Sequence, residues 1–202
     1  MATVDTSTSN AILVPIVPPQ DLVKPIPLDI TVGYALASEA AAIAKIGADT
    51  FTATFGSSIP AKDLAIFLAA TYSEVTVLAE LQDPSVQTWA ARDGASGKVL
   101  GLVQLVRGLS EPCVPGDAAM HAELRHLYVD TAAHGRGIGS KLIDAVEQQA
   151  RIEGFKQLWL TVWEQNSSAE RLYQRLGYQR CGTIEFMTGE FPATDNVLAK
   201  SL

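Results

Sequence analysis

The chain has 202 residues, 48% of them apolar and 18% charged, and a net charge of −7. That is long enough to bury an ordinary core and too apolar for a largely disordered chain. The acidic balance excludes a broad basic face for nucleic acid or for an anionic membrane surface, so neither partner is expected.

Residues 1–28 carry five of the ten prolines, Pro15, Pro18, Pro19, Pro25 and Pro27. Proline fixes φ and removes a donor, so this stretch reads as an extended arm or tail ahead of a single domain over residues 29–202. Within it Ile12, Leu13, Val14 and Ile16 are candidates to dock on the domain or on a second subunit. Residues 1–10 lack the basic start of a secretory signal, and the apolar run 11–19 is short and broken by proline. A bilayer takes about 20 apolar residues, so a cytoplasmic chain is expected.

Ile30, Thr31 and Val32 read as a strand, after which Ser38 opens a helix with an alanine-rich run over residues 40–48. A second helix follows Pro60, with Leu64, Phe67 and Leu68 on one face, and a third covers residues 72–81. Residues 86–92 and 99–107 are strands joined by a glycine-containing turn, and residues 111–117 form a loop. Residues 122–129 are a strand, and residues 137–153 a helix apolar at Ile138, Leu142, Ala145, Val146 and Ala150 and closed by Gly154. Residues 158–162 read as a strand buried on both faces. A helix over 167–176 stops at Gly177, and strands over 178–186 and 197–202 complete a mixed α/β order.

The stretch from His134 to Ser140 holds Gly135, Gly137 and Gly139 between a strand and an amphipathic helix. A helix start presents unpaired N–H groups and a positive dipole end, and glycines admit a phosphate close to the backbone. Ser140 stands where either a P-loop or a dinucleotide fingerprint needs its last glycine, and no acidic residue lies between Gly154 and Trp163 to hold a ribose. The turn therefore reads as an anion site without a nucleotide fingerprint, or as a tight turn alone. Cys113 and Cys181 lie far apart with no CxxC spacing and predict reduced thiols. His121 and His126, five apart on one strand, point to opposite faces, so no metal site is expected among the histidines. No serine sits in a nucleophile elbow.

Glu123 to Val129, His134 to Gly139, and Asn166 to Tyr178 occur in that order. Together they resemble the GNAT superfamily of acyl-CoA-dependent N-acyltransferases. The family's cofactor loop, Gln/Arg-x-x-Gly-x-Gly/Ala, is met at Gly137 and Gly139, with His134 in the place of the usual Gln or Arg. The later pattern is met throughout, at Asn166, Ala169, Leu172, Tyr173, Gly177 and Tyr178. The segment around Phe51 to Gly56, residues 72–81, Trp159 to Asn166, and the C-terminal Met187 and Asp195 are similar to bacterial polyamine acetyltransferases of the PaiA type.

The resemblance implies a single-domain α/β (α+β) fold with a mixed, mostly antiparallel sheet flanked by helices, in which the Glu123 and Leu158 strands run parallel and splay apart. It implies acetyl-CoA as co-substrate, no metal, and direct acetyl transfer to a small-molecule amine acceptor. Backbone groups of Leu127, Tyr128 and Val129 are expected to meet the acetyl and pantetheine parts. Gly135, Arg136, Gly137, Ile138, Gly139 and Ser140 are expected to cradle the diphosphate. Asn166 would bind the pantetheine arm, and it also reads as the N-cap of the helix that follows. Glu123 is the candidate general base, or a partner of Arg125; Tyr173 is the candidate acid for the leaving thiolate.

Residues 1–120 hold 12 acidic and 6 basic side chains, against 10 and 9 in the remainder. In this architecture the first half lies on the acceptor side, where that charge would steer a cationic amine such as a polyamine. Phe51, Phe55, Tyr72 and Trp89 are candidates to line its pocket. A protein N-terminus, an amino acid or a xenobiotic amine remains open as acceptor, as does a non-catalytic CoA-binding module. A homodimer through the last strands is compatible with the pattern.

Overall fold

The computed structural model describes residues 29–188 and 191–202. The proline-rich segment, with its proposed docking residues, lies outside them.

Seven strands form one sheet in the order β1-β2-β3-β4-β5-β7-β6. They are β1 (Ile30–Tyr34), β2 (Val86–Asp93), β3 (Val99–Arg107), β4 (His121–Val129), β5 (Gln157–Trp163), β6 (Gln179–Thr188) and β7 (Phe191–Ser201). Every neighbouring pair is antiparallel except β4 and β5, which run parallel. A parallel pair needs a crossover, and α4 (Ile138–Ile152) supplies it. The remaining helices are α1 (Ala40–Phe55), α2 (Ala61–Thr71), α3 (Glu74–Gln82) and α5 (Ser167–Arg175).

The sheet is covered on both faces. On one, Ile138, Leu142, Ile143 and Val146 of α4 pack against Leu105, Leu124, Leu158 and Leu160. On the other, Ile43 and Ile46 of α1 and Val77 of α3 pack against Ala90, Val99 and Leu102. A smaller cluster of Val114, Trp159, Val197 and Ala199 seats the 108–117 loop on the C-terminal half. Burial of this kind is worth about 25 cal/mol per Å² of apolar surface.

Two expected elements are displaced. Ser38 does not cap the first helix. Residues Ala37–Glu39 make a 3-10 turn in which the Glu39 carboxylate accepts from the Leu36 N–H at 2.7 Å and pairs with Arg92 at 2.6 Å. The helix then runs on past the alanine run to Phe55. The last strand begins at Phe191, not at Val197, because β5 and β6 flank it on either side. Cys113 and Cys181, remote in sequence, meet with their Sγ atoms 3.7 Å apart, both as free thiols. Among the described residues no single helix is long and apolar enough to cross a membrane.

Candidate active site

The site begins with an irregularity in β4. Gln104 of β3 pairs with Arg125 and Leu102 pairs with Tyr128, so Val103 faces both His126 and Leu127. One extra residue makes a β-bulge, which bends a strand and increases its twist. His126 takes the strain: among the described residues it is the non-glycine residue with positive φ, at 53°. Ahead of this point β4 has already left β5. The two strands pair at only three positions, from His121↔Gln157 to Glu123↔Trp159, and then part. The far end of β4 and the far end of β5 therefore border a gap.

The parting strands open a cavity of about 450 Å³. Leu127, Tyr128, Thr161, Asn166 and Tyr173 line it from the sheet and α5, and Phe51, Phe55 and Tyr72 line it from the first half of the chain. Val129 turns into the α4-side core instead, and its carbonyl accepts from His134 Nε2 at 3.0 Å. Trp89 is not part of the cavity. It is buried on the α4 face, with its ring 5.4 Å from that of Tyr34. Strand parity decides this, since Trp89 and Ala90 point to opposite faces and Ala90 has the α1 side.

Local folding holds Tyr173 in place. Asn166 Oδ1 accepts from the Ala169 N–H at 3.1 Å and so caps α5, while Asn166 also borders the cavity; both of its expected uses are compatible. At the other end the Gly177 N–H bonds to Gln174 and the Tyr178 N–H to the Tyr173 carbonyl, at 3.0 Å each. This is a Schellman stop, with Gly177 at a φ of 94°. Its usual apolar contact is made by Tyr173 and Tyr178, whose rings lie 5.8 Å apart. The Tyr173 hydroxyl has no hydrogen-bond partner among the described residues. Burial, then the nearby Tyr128, raise its pKa and keep it protonated.

The polar groups around the gap are arranged unevenly. Glu123 is buried and forms a fork with Arg125, with contacts of 2.7 and 3.2 Å. The Tyr128 and Tyr72 hydroxyls bond to each other at 2.6 Å. Burial pushes the Tyr128 phenol up to about 12. Burial, helped by the charge of Arg125, takes His126 down to about 4, so its ring is neutral at physiological pH. Asp195 of β7 also borders the cavity; burial raises its carboxyl, against a hydrogen bond from Thr161. Sequence reasoning placed Asp195 in the C-terminal pattern and gave it no role. His121 is fully occupied elsewhere, bonded to Ser110 and to the Pro115 carbonyl. Among the described residues no three His, Cys, Asp or Glu side chains form a metal site.

The helix start lies at the same end of the sheet. Gly137 is the N-cap of α4 with a φ of 75°, and no side chain caps the helix. The first intrahelical bond goes to the Lys141 N–H, leaving the amides of Ile138, Gly139 and Ser140 without one. Gly135 and Gly137 are explained by their positive φ. Gly139 is not: it is helical, and a Cβ there would meet nothing within 4 Å. Neither conformation nor packing asks for glycine at 139. An anion brought close to bare amides does, so these residues fit a diphosphate.

Strands that part after three residue pairs, with bare amides at the same end, suit a long thioester carrying phosphate. The fold and site thus define an acyl-group transferase. Residues 50–178 match the acetyltransferase (GNAT) family, and the chain belongs to it. It is an acetyl-CoA-dependent N-acetyltransferase. An uncharacterized N-acetyltransferase of Lactobacillus delbrueckii subsp. lactis is 29% identical over 159 residues, 78% of this chain and 88% of that one. The spermine/spermidine N(1)-acetyltransferase of Bacillus subtilis is 36% identical, but over only 64 residues, 31% of this chain and 42% of its own. In fold, the chain is similar to the PaiA N-acetyltransferase of Thermoplasma acidophilum, solved in complex with coenzyme A. The TM-score is 0.69 at 16% identity, covering 87% of this chain and all of that one.

Proposed function

We propose that the chain acetylates the primary amine of a small cationic molecule, with polyamines within that class. The observation that carries this is the cavity at the strand gap. Its Glu123 is neutralised by Arg125 and its His126 is uncharged, whereas Asp195 has no ion-pair partner among the described residues. The lining is therefore net negative and suits a cation. The Bacillus subtilis relative, named for spermine and spermidine, supports the same class over the segment it shares.

The residues divide the work as follows. The amides of residues 138–140, with Gly135 and Arg136 in the preceding turn, hold the diphosphate of acetyl-CoA. Leu127 and Tyr128 border the gap that receives the thioester end, and Val129 continues that strand edge. Asn166 borders the path of the pantetheine arm. Glu123, aimed by the Arg125 fork, takes the proton that the ammonium must lose before nitrogen attacks. Tyr173 keeps its hydroxyl proton throughout the working range and gives it to the departing sulfur, and the second proton that nitrogen loses as the amide forms restores the phenol. Acetyl-CoA supplies the acetyl group; every other part of the step is positioning and proton movement by this chain.

Thiol release by the purified chain, with acetyl-CoA and a panel of primary amines, tests the reading. Release that depends on a small amine supports it. Release only with peptide N-termini moves the acceptor to protein. Coenzyme binding without release for any amine leaves a CoA-binding module.

A further inference from the structure

The acceptor side of the cavity has a composition that narrows the reading above. Asp195 and Trp163 are directly opposite in the β5–β7 ladder, so their side chains share a face. From Trp163 the aromatic surface is continuous. Its ring lies 5.0 Å from Phe55, which lies 4.4 Å from Phe51, which stacks on Phe67 at 4.5 Å. All four rings line the cavity. One half-buried carboxylate thus stands at the head of an aromatic wall.

A carboxylate in such a place is costly unless a cation meets it. No cationic side chain does so among the described residues. The nearby Arg125 is committed to Glu123 by three contacts of 2.7 to 3.2 Å. Burial raises the Asp195 carboxyl, opposed by a hydrogen bond from Thr161 and helped by the charge of Glu164, a net response expected of an acid that lacks a counter-ion. Glu111 also borders the cavity, from the loop between β3 and β4. Glu111 lies in no strand and has no cross-strand aromatic partner, whereas Asp195 has Trp163.

We propose that the acceptor subsite takes a protonated primary amine carried on an apolar arm, with Asp195 receiving the ammonium and the rings of Trp163, Phe55, Phe51 and Phe67 holding the arm. This rests on the acetyl-transfer reading and selects within its class of amines. A single ammonium satisfies Asp195. A polyamine would lay further charged groups along these apolar rings. Asp195 is a binding residue on this account, and proton removal stays with Glu123.

The test is calorimetric, on the full chain with coenzyme A present so that no turnover occurs. The probes are 2-phenylethylamine, its uncharged analogue 2-phenylethanol, and spermidine. In the wild type 2-phenylethylamine is expected to bind at least tenfold more tightly than either other probe. Asp195→Asn is expected to weaken the amine roughly tenfold to a hundredfold, the range for losing a charge-assisted hydrogen bond, and to leave the alcohol unchanged. Phe55→Ala is expected to weaken amine and alcohol alike. Equal amine binding by the Asn variant, alcohol binding as tight as amine, or spermidine preferred over 2-phenylethylamine would each overturn the proposal. Should Asp195→Asn fail to fold, the probe contrast in the wild type and the Phe55→Ala result still decide.

Turnover separates this from the acetyl-transfer reading. Binding contrasts intact with no thiol release from any amine would remove acetyl transfer to amines and leave the subsite. Thiol release intact with the contrasts missing would remove the subsite and leave the transferase.

Discussion

Gly139→Ala separates a ligand's requirement from the fold's. Gly139 is helical, and an added Cβ meets no atom within 4 Å, so the protein loses no contact and acquires no clash. Alanine is favoured over glycine within a helix by about 0.5–1 kcal/mol. At this chain length that raises Tm by about 1–4 °C. The ligand sees the opposite change. A methyl group over the first turn of α4 pushes the diphosphate off the amides of residues 138–140. One charge-assisted hydrogen bond lost is about 1.5–3 kcal/mol, or tenfold to more than a hundredfold in Kd. Gly137→Ala provides the contrast, since its φ of 75° makes alanine unfavourable by about 1–2 kcal/mol, so stability and affinity fall together. Thermal scans of the free chain and calorimetry with coenzyme A read both quantities. An alanine variant at 139 that is as stable as the wild type or more so, yet binds coenzyme A with unchanged Kd, would refute the assignment of this turn to the diphosphate.

Four further outcomes are expected. Tyr173→Phe lowers kcat by roughly tenfold or more with little change in acetyl-CoA affinity, since general-acid effects begin at about a hundredfold; single-turnover kinetics at an unchanged rate would remove Tyr173 from the chemistry. Glu123→Gln lowers kcat more than it raises the acceptor KM in steady-state assays; because it weakens the partner of half-buried Arg125, it also lowers stability by about 1–3 kcal/mol, read by denaturant unfolding. His126 binds its proton more weakly when folded, with a pKa of about 4 against about 6.5 unfolded, so its contribution to stability is complete above pH 6.5 and is lost as pH falls towards 4. The wild type should therefore lose about 2–3 kcal/mol more over that window than His126→Asn, a residue that tolerates the positive φ; parallel curves for the two would show that the ring is not held neutral. Leu142→Ala, at a side chain with no exposed surface, should cost about 2–5 kcal/mol by chemical denaturation.

Much of the framework was legible in the sequence because local signals and tertiary packing agree. The apolar period of α4 and its glycine stop, the buried run of β5, and the Asn166-to-Tyr178 pattern each describe an element whose neighbours ask for the same thing. The first helix was legible as alanine-rich, but its end was not, since Thr50 to Phe55 could equally have been a loop lined by aromatics. The start of β7 was hidden for a different reason. Pro192, Thr194, Asp195 and Asn196 have turn chemistry, and their extended form comes from the strands on either side. Pro192 is tolerated because it faces Met187 of β6 alone; pairing with β5 starts only at Asp195.

The same cause limited the reading of the site. Tyr173 and Asn166 belong to one short helix and its cap, so spacing alone reveals them. Asp195 reaches the cavity only because β7 is inserted between β5 and β6, a long-range event with no local signature. His121 and His126 illustrate how one added residue defeats a parity argument. Five positions on a regular strand put side chains on opposite faces, but the bulge at His126 interrupts the count. That bulge lies beyond the last β4–β5 pair, in the part of β4 that borders the gap. The strained residue of the strand and the cavity therefore lie together, with His126 at a positive φ on the stretch of β4 that lines the gap.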